Sequence, residues 1–267
     1  MSETREPGAS IDIPAVPNLR DLGGWPARGG KRVRWGLLYR STELNQLQGE
    51  GMTAFEALGI RAVYDLRTEV ERRAQPDRLP AGTQHVVLDV MKDLTGAAPA
   101  HLFELMQHPQ EAEETLGNGK GLALFEAGYR QVVTLPSALA GYGRLFRDLA
   151  HGQHRPALFH CTTGKDRTGW AAAVALLLLG VSEKHVMEEY LLTNKELLPA
   201  EQPAIERFVA LGGDAEVIRP VIGVSPQYLQ TALDEMHEKF GTVGGYFADG
   251  LGIGSAEQER LRETFLE

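Results

Sequence analysis

The string His160-Cys161-Thr162-Thr163-Gly164-Lys165-Asp166-Arg167-Thr168-Gly169 gathers a thiol, an ammonium, a carboxyl group and a guanidinium within ten residues, and Cys161 is the single cysteine of the chain. Five residues separate Cys161 from Arg167. A loop of that length between a strand and a helix turns its backbone N–H groups inward as an anion nest, and the helix N-terminus adds positive potential. Such a nest favours a thiolate over a thiol, which supplies a sulfur nucleophile near neutrality. The same nest seats a tetrahedral dianion over the sulfur. Arg167 can close the cradle with a planar fork on two phosphoryl oxygens, a geometry lysine lacks. Gly164 gives the backbone room to turn, and Thr168 is placed to donate a hydrogen bond to the sulfur. Cys161 is thus the candidate nucleophile. Thr162, Thr163, Gly164, Lys165, Asp166 and Arg167 form the candidate phosphate cradle, with His160 and Thr168 in support.

Buried inert cysteines are common, and Cys-x5-Arg alone is a weak pattern. The full string, set between the apolar run "PALF" and the helical run "WAAAVALLLLG", is far more specific. Two other chemistries fit poorly. "GKDRTG" lacks the hydroxyl residue directly after lysine that a nucleotide-triphosphate loop needs for magnesium. His151, His154, His160 and Cys161 lie close in sequence, but "HGQHR" reads as a surface loop rather than part of a four-ligand zinc site. No metal and no cofactor is expected.

The elements that would hold this loop can be read along the chain. "PALFH" is a short buried strand, and residues 167–180 follow as a helix. "IRAVYDLR" is a second buried strand ending in polar residues, followed by helical "TEVERR", and "HVVLDV" (85–90) is a third. "KRVRWGLLYR" is extended, and Thr53 to Leu58 is a short helix. Residues 136–150 make an amphipathic helix, and further helices are expected at 182–194, 200–211, 225–239 and 255–266. Residues 92–133 are long for a connection, so a helical lid or insertion is expected there, built from "PAHLFELMQ", "PQEAEETL" and "LALFEAGYRQVV". Early strands, a central strand–loop–helix and late helices make one α/β domain with a small central sheet. Residues 1–15 read as a flexible arm and 16–267 as the single domain.

Composition narrows the class. The chain has 267 residues, 43% hydrophobic and 24% charged, enough to bury a sizeable core. The net charge of −9 argues against non-specific nucleic-acid binding. Charge is uneven: residues 18–73 carry ten Lys/Arg against seven Asp/Glu, and 183–267 carry seven against sixteen. The first reading of this asymmetry is an acidic solvated C-terminal surface; the second is an N-terminal half that supplies arginines to an anionic site. The polar start "MSETREPGASIDIP" has no apolar core of a cleaved signal, and the longest apolar run is too short for an integral membrane segment. A cytoplasmic protein is expected, with export by a route lacking such a peptide left open. Oligomeric state is not legible.

Beyond the loop, "NLRDLGG" (18–24), "LLYRSTEL" (37–44), "LGIRAVYDLRTEVER" (58–72), "EEYLLTN" (188–194) and "VSPQYLQTALDEM" (224–236) occur in order. With these the chain resembles the bacterial IphP-like phosphatases, atypical members of the cysteine-based protein tyrosine phosphatase superfamily that include phosphoinositide-active enzymes. The resemblance spans about residues 16 to 266. It implies a small, mainly parallel sheet flanked by helices. It also implies phosphomonoester hydrolysis through a cysteinyl phosphate, with phosphotyrosine proteins, phosphoserine/threonine proteins or phosphoinositides as substrates. A phosphate-binding module with weak catalysis is the alternative, although such a module would usually have lost its cysteine or arginine.

The implied reaction needs a carboxyl group that protonates the leaving oxygen and later accepts a proton from water. Asp166, inside the loop, is preferred, and Asp65, at the end of the "YDLR" strand, is the second candidate. Asp89 and Asp93 follow. Asp65 would otherwise be a structural carboxylate paired with Arg20, Arg40 or Arg67. Arg20, Asp21, Arg40 and Arg67 are expected to form one polar network supporting the loop. Lys165 is expected at the mouth, to meet additional phosphates.

Overall fold

The structure is a computed structural model that describes residues 6–94, 105–152 and 154–267. Five short strands form one sheet: β1 (Arg20–Asp21), β2 (Leu38–Ser41), β3 (Ala62–Asp65), β4 (Gln84–Val87) and β5 (Ala157–His160). Their spatial order is β1-β2-β5-β3-β4. β1 pairs antiparallel with β2, and β2, β5, β3 and β4 are parallel. The observed class is the expected one: mixed α/β, with a small, mainly parallel sheet flanked by helices.

Strand alternation builds a core on each face. Tyr64 and Phe159 enter the larger core with Tyr142, Phe146 and Trp170. Val63 and Leu158 point the other way, to Leu47 and Phe55. Helix α1 (Gly49–Ala57) therefore covers one face, while α5 (Pro136–His151) and α6 (Asp166–Leu178) cover the other. Both faces being covered is what lets central strands be continuously apolar. Helix α6 is buried along nearly all its length, which explains why its sequence shows no polar stripe.

Three expectations need correction. Part of the supposed arm packs: Ile13 is buried in the second core with Ile11 against it, and Ser10 bridges to Arg20. Residues 1–5 lie outside the described residues. The helices expected at 182–194 and 200–211 are one continuous helix, α7 (Glu183–Ala210), despite Pro199 and Pro203. Each proline leaves the carbonyl four residues back without its N–H partner. Lys195, Pro199 and Pro203 all lie on the exposed side, where water can satisfy those carbonyls. Finally, helix α8 (Ala215–Ile222) and a π-helical turn at Tyr246–Gly250 occupy stretches that the sequence reading leaves unassigned.

Within 92–133, residues 95–104 lie outside the described residues, so most of "PAHLFELMQ" does too. Leu105–Gln107 is a single 3-10 turn. Helices α3 (Pro109–Leu116) and α4 (Lys120–Thr134) follow, separated by residues 117–119. A satellite core joins Leu105, Leu116, Phe208, Ile218 and Ile222. Helix α4 rests on α9 (Pro226–Phe240), where Phe125 and Tyr129 stack on Tyr228 with ring centroids 5.2 and 5.5 Å apart. The last helix is α10 (Ser255–Phe265). Among the described residues no helix is long and apolar enough to cross a membrane.

Candidate active site

The parallel strands end in step: Ser41 and Asp65 flank His160 in register. Carboxyl ends of parallel strands are where open α/β sheets build their sites. The chain leaves β5 at His160, crosses Cys161–Lys165 and enters α6 at Asp166, giving the expected strand–loop–helix junction. Cys161 is a buried free thiol. Gly164 has φ +65°, and a Cβ there would run into the Ser41 carbonyl. The loop is thus pressed onto the end of β2 in a conformation that suits glycine on both counts.

Behind the loop, Arg40 Nη2 and Asn18 Nδ2 donate to the Gly164 carbonyl at 2.6 and 3.1 Å. Arg40 and Arg20 share the Glu189 carboxylate of α7, at 2.6 and 2.8 Å. Arg20 also donates to Asn18. Burial works against the Glu189 charge, but Arg40 and Arg20 outweigh it and hold its pKa below the usual range. Of the expected network of Arg20, Asp21, Arg40 and Arg67, Arg20 and Arg40 meet on Glu189, and Arg67 pairs with other carboxylates. The Asp21 carboxylate accepts from the Gly23 and Gly36 amides at 2.8 and 2.7 Å.

Arg67 belongs to a second cluster, under the other side of the loop. It donates through Nε and Nη2 to both oxygens of Asp65, at 2.9 and 2.8 Å, and pairs with Asp77 and Glu43, each at 2.8 Å. Glu43 N in turn donates to the Thr162 carbonyl at 3.0 Å. Burial opposes the Asp65 charge, but hydrogen bonds from His85 and Arg67 carry its pKa far below the carboxylate range. Asp65, Asp77 and His85 bring ligand atoms within 4.8 Å of one another. The cation between the two carboxylates is already the Arg67 guanidinium. His160 Nε2 lies 3.1 Å from Asp77 Oδ2, off the line of a good hydrogen bond. Its Nδ1 is 3.0 Å from the Cys161 carbonyl. Burial works against the imidazolium, yet Asp77 raises its pKa above the ordinary value.

At the front, Arg167 is gripped end-on by Glu71 of α2 (Glu69–Ala74). Nη1 and Nη2 donate to its two carboxylate oxygens at 2.7 and 2.6 Å. Thr162 Oγ1 donates to the same carboxylate at 2.6 Å, so Glu71 ties the two ends of the loop together. Burial pushes the Glu71 pKa up, but Arg167 overrides it and brings it down to about 2. Burial likewise opposes the Arg167 charge, and the Cys161 and Glu71 charges more than restore it. End-on pairing leaves the Nε edge of the fork without a hydrogen-bond partner among the described residues. Tyr142 O–H donates to the Arg167 carbonyl at 3.0 Å.

Asp166 is the partly exposed carboxylate of the loop, with 31% of its side chain accessible. Its Oδ1 accepts from Tyr129 O–H at 2.7 Å. Lys165 is not at the mouth as expected. Its ammonium is buried, donating to the Gly223 carbonyl at 3.0 Å and lying 4.4 Å from the Phe125 ring centroid. Burial lowers its pKa. Carbonyls and an aromatic face replace its water, which is why a lysine is tolerated there. Thr168 Oγ1 is buried with no hydrogen-bond partner among the described residues, so the expected bond to sulfur is not made. Asp89 accepts from the Glu69 amide at 3.2 Å and Asp93 from the Ser137 amide at 2.7 Å, each holding the first turn of a helix distant in sequence.

Sequence reasoning missed Glu71, Asp77, Tyr129, Glu189 and Asn18. Glu71 carries a signal of another kind: Thr68-x-x-Glu71 is a capping box, which announces a helix start rather than an arginine clamp.

Comparison with known proteins agrees in extent with this geometry. The profile described as "Tyrosine phosphatase family" matches residues 11–267. The triple specificity protein phosphatase PtpB of Mycobacterium tuberculosis is 30% identical, covering 96% of this chain and 98% of its own. A Cupriavidus necator protein provisionally named a tyrosine-protein phosphatase is 31% identical, with 91% and 84% covered. A tyrosine-protein phosphatase of Nostoc commune is 28% identical, with 82% and 70% covered.

Proposed function

Because the chain belongs to the tyrosine phosphatase family, we propose that it hydrolyses phosphomonoesters in two in-line displacements through a phosphate ester of Cys161. In the first, the Cys161 thiolate forms the S–P bond as the P–O bond to the leaving group breaks. Asp166 gives its proton to the departing oxygen. In the second, water forms the new O–P bond, the S–P bond breaks, and Asp166 takes the proton from water. Charge on the equatorial oxygens is met by the loop N–H groups of residues 162–167 and by the Nε edge of Arg167. The partnerless Thr168 hydroxyl suits the sulfur, which gains charge again when the intermediate breaks down.

The observation that carries this reading is the Glu71 grip. It closes the loop around Cys161 and aims the arginine while leaving one edge of the fork free. Asp65 is assigned a structural role, since both its oxygens are taken by a buried arginine. Residues 16–267 are read as one catalytic domain, with 105–133 as a helical cover over the loop, and the IphP-like branch as its place in the family. Phosphotyrosine proteins are the first substrate class. The name of the PtpB relative, triple specificity, supports including phosphoserine/threonine proteins, and the resemblance to phosphoinositide-active enzymes supports including lipids.

A rate panel tests this: phosphotyrosine, phosphoserine and phosphothreonine peptides and several phosphoinositides, each with wild type and Cys161→Ser. Loss of turnover on every substrate in the variant is expected. Turnover that survives in it overturns the mechanism.

A further inference from the structure

We propose that Tyr129, backed by Tyr190, is a positioning residue for the proton transfer. It occupies one oxygen of the Asp166 carboxyl group and reserves the other, Oδ2, for giving and taking the proton. The inference rests on Asp166 as the general acid and goes beyond it by naming what orients that acid.

Tyr129 comes from α4, Tyr190 from α7 and Asp166 from the start of α6, so three separate elements converge. Tyr129 Oη is 2.7 Å from Asp166 Oδ1 and 2.6 Å from Tyr190 Oη. A phenol has one proton to give. If Tyr129 spends it on Asp166, Tyr190 must be the donor between the two phenols, and the chain runs Tyr190 to Tyr129 to Asp166. Both phenols are buried, and burial followed by the Asp166 charge pushes each pKa well up. They are therefore permanent donors across the working pH range.

The last torsion of an aspartate is broad, so a half-exposed carboxyl group does not hold its own plane. One hydrogen bond to Oδ1 fixes that plane. It also biases where the acid's proton sits: on Oδ1 it would meet the Tyr129 proton head to head at 2.7 Å, a closer conflict than the one Oδ2 meets from Lys165. Oδ2 lies 3.4 Å from Lys165 Nζ. Once the proton has gone to the leaving oxygen, Tyr129 and Lys165 face the two oxygens of the carboxylate that remains.

Ring packing does not account for the arrangement. Tyr129 stacks on Tyr228 and meets Tyr190 edge-on, with centroids 6.4 Å apart, and phenylalanine would pack as well. Only the hydroxyl reaches Asp166.

The test is steady-state kinetics of Tyr129→Phe, Tyr190→Phe, Asp166→Asn and Tyr129→Phe/Asp166→Asn. Substrates are p-nitrophenyl phosphate, whose leaving group needs little protonation, and phenyl phosphate, whose leaving group needs more. Thermal unfolding confirms that each variant is folded. Tyr129→Phe should lower kcat about tenfold on phenyl phosphate and less than about threefold on p-nitrophenyl phosphate, with KM unchanged. Tyr190→Phe should show the same pattern, more weakly. The double variant should be no slower than Asp166→Asn. An equal loss on both substrates, no loss, or additive losses overturns the inference when Asp166→Asn itself discriminates between leaving groups. If Asp166→Asn does not discriminate, the acid assignment has failed, and this inference falls with it.

Discussion

Glu71 holds Arg167 by both ends of its fork, at 2.7 and 2.6 Å, so the residue expected to clamp a phosphoryl group is itself clamped. An arginine side chain loses considerable rotamer freedom when it is ordered. Here that ordering is complete before any substrate arrives, which is the condition for fixed charges to act on a transition state without reorganisation.

Glu71→Gln should keep the shape and lose the charge. The expected loss in kcat/KM on p-nitrophenyl phosphate is about 30-fold, from about 2 kcal/mol of charge-assisted hydrogen bonding. A rise in activity would mean that Glu71 competes with the substrate for the arginine. The stability effect has a definite sign. The carboxyl pKa falls from 4.5 to about 2 on folding. Its contribution is therefore complete above about pH 4.5 and is lost as the pH drops toward 2. Denaturant midpoints of wild type and variant should accordingly converge on acidification.

Asp65→Asn separates structure from catalysis. Removing one partner of this buried pair should cost about 3 kcal/mol in urea unfolding. It should leave the ratio of rates on phenyl and p-nitrophenyl phosphate unchanged. Because folding depresses the Asp65 pKa from its reference of 3.8, the wild-type advantage is present above that value and shrinks as the pH falls below it. A variant of full stability that discriminates between leaving groups would return the acid role to Asp65.

His160 carries the opposite sign. Its pKa is raised from 6.5 by Asp77, so its contribution is complete below pH 6.5 and is lost as the pH rises through the higher folded value. Melting temperatures of wild type and His160→Asn, compared from pH 5.5 to about pH 9, should therefore differ most at the acidic end. A difference that grows with pH would show that His160 is neutral in the fold.

The sequence made the loop legible because everything that defines it is local: a strand, five residues and a helix start. The buried strands β3 and β5 were legible for the same reason, since each is a short apolar run, but which side chain faces which core was not. What surrounds the loop was not. Glu71 meets Arg167 across 96 positions of chain, and Arg20 meets Glu189 across 169. No local pattern marks such pairs, because each acidic residue sits in an ordinary helical context. Lys165 misled for a related reason. A lysine next to a catalytic loop reads as solvent-facing until Phe125, Pro220 and Gly223 are folded over it.

Helix α7 has a consequence of its own. Glu189 and Tyr190 are consecutive, so they leave the helix about 100° apart. One goes to the arginines that brace the back of the loop, the other to the phenol that meets Asp166. One turn on, Asn194 exchanges two hydrogen bonds with the backbone of Val224, at 2.8 and 2.7 Å, and pins the rotation. The helix works as an indexing shaft: its angular phase sets the Glu189 brace and the Tyr190–Tyr129 contact together. A single-residue insertion or deletion between Val186 and Asn194 would throw both out of alignment in one step.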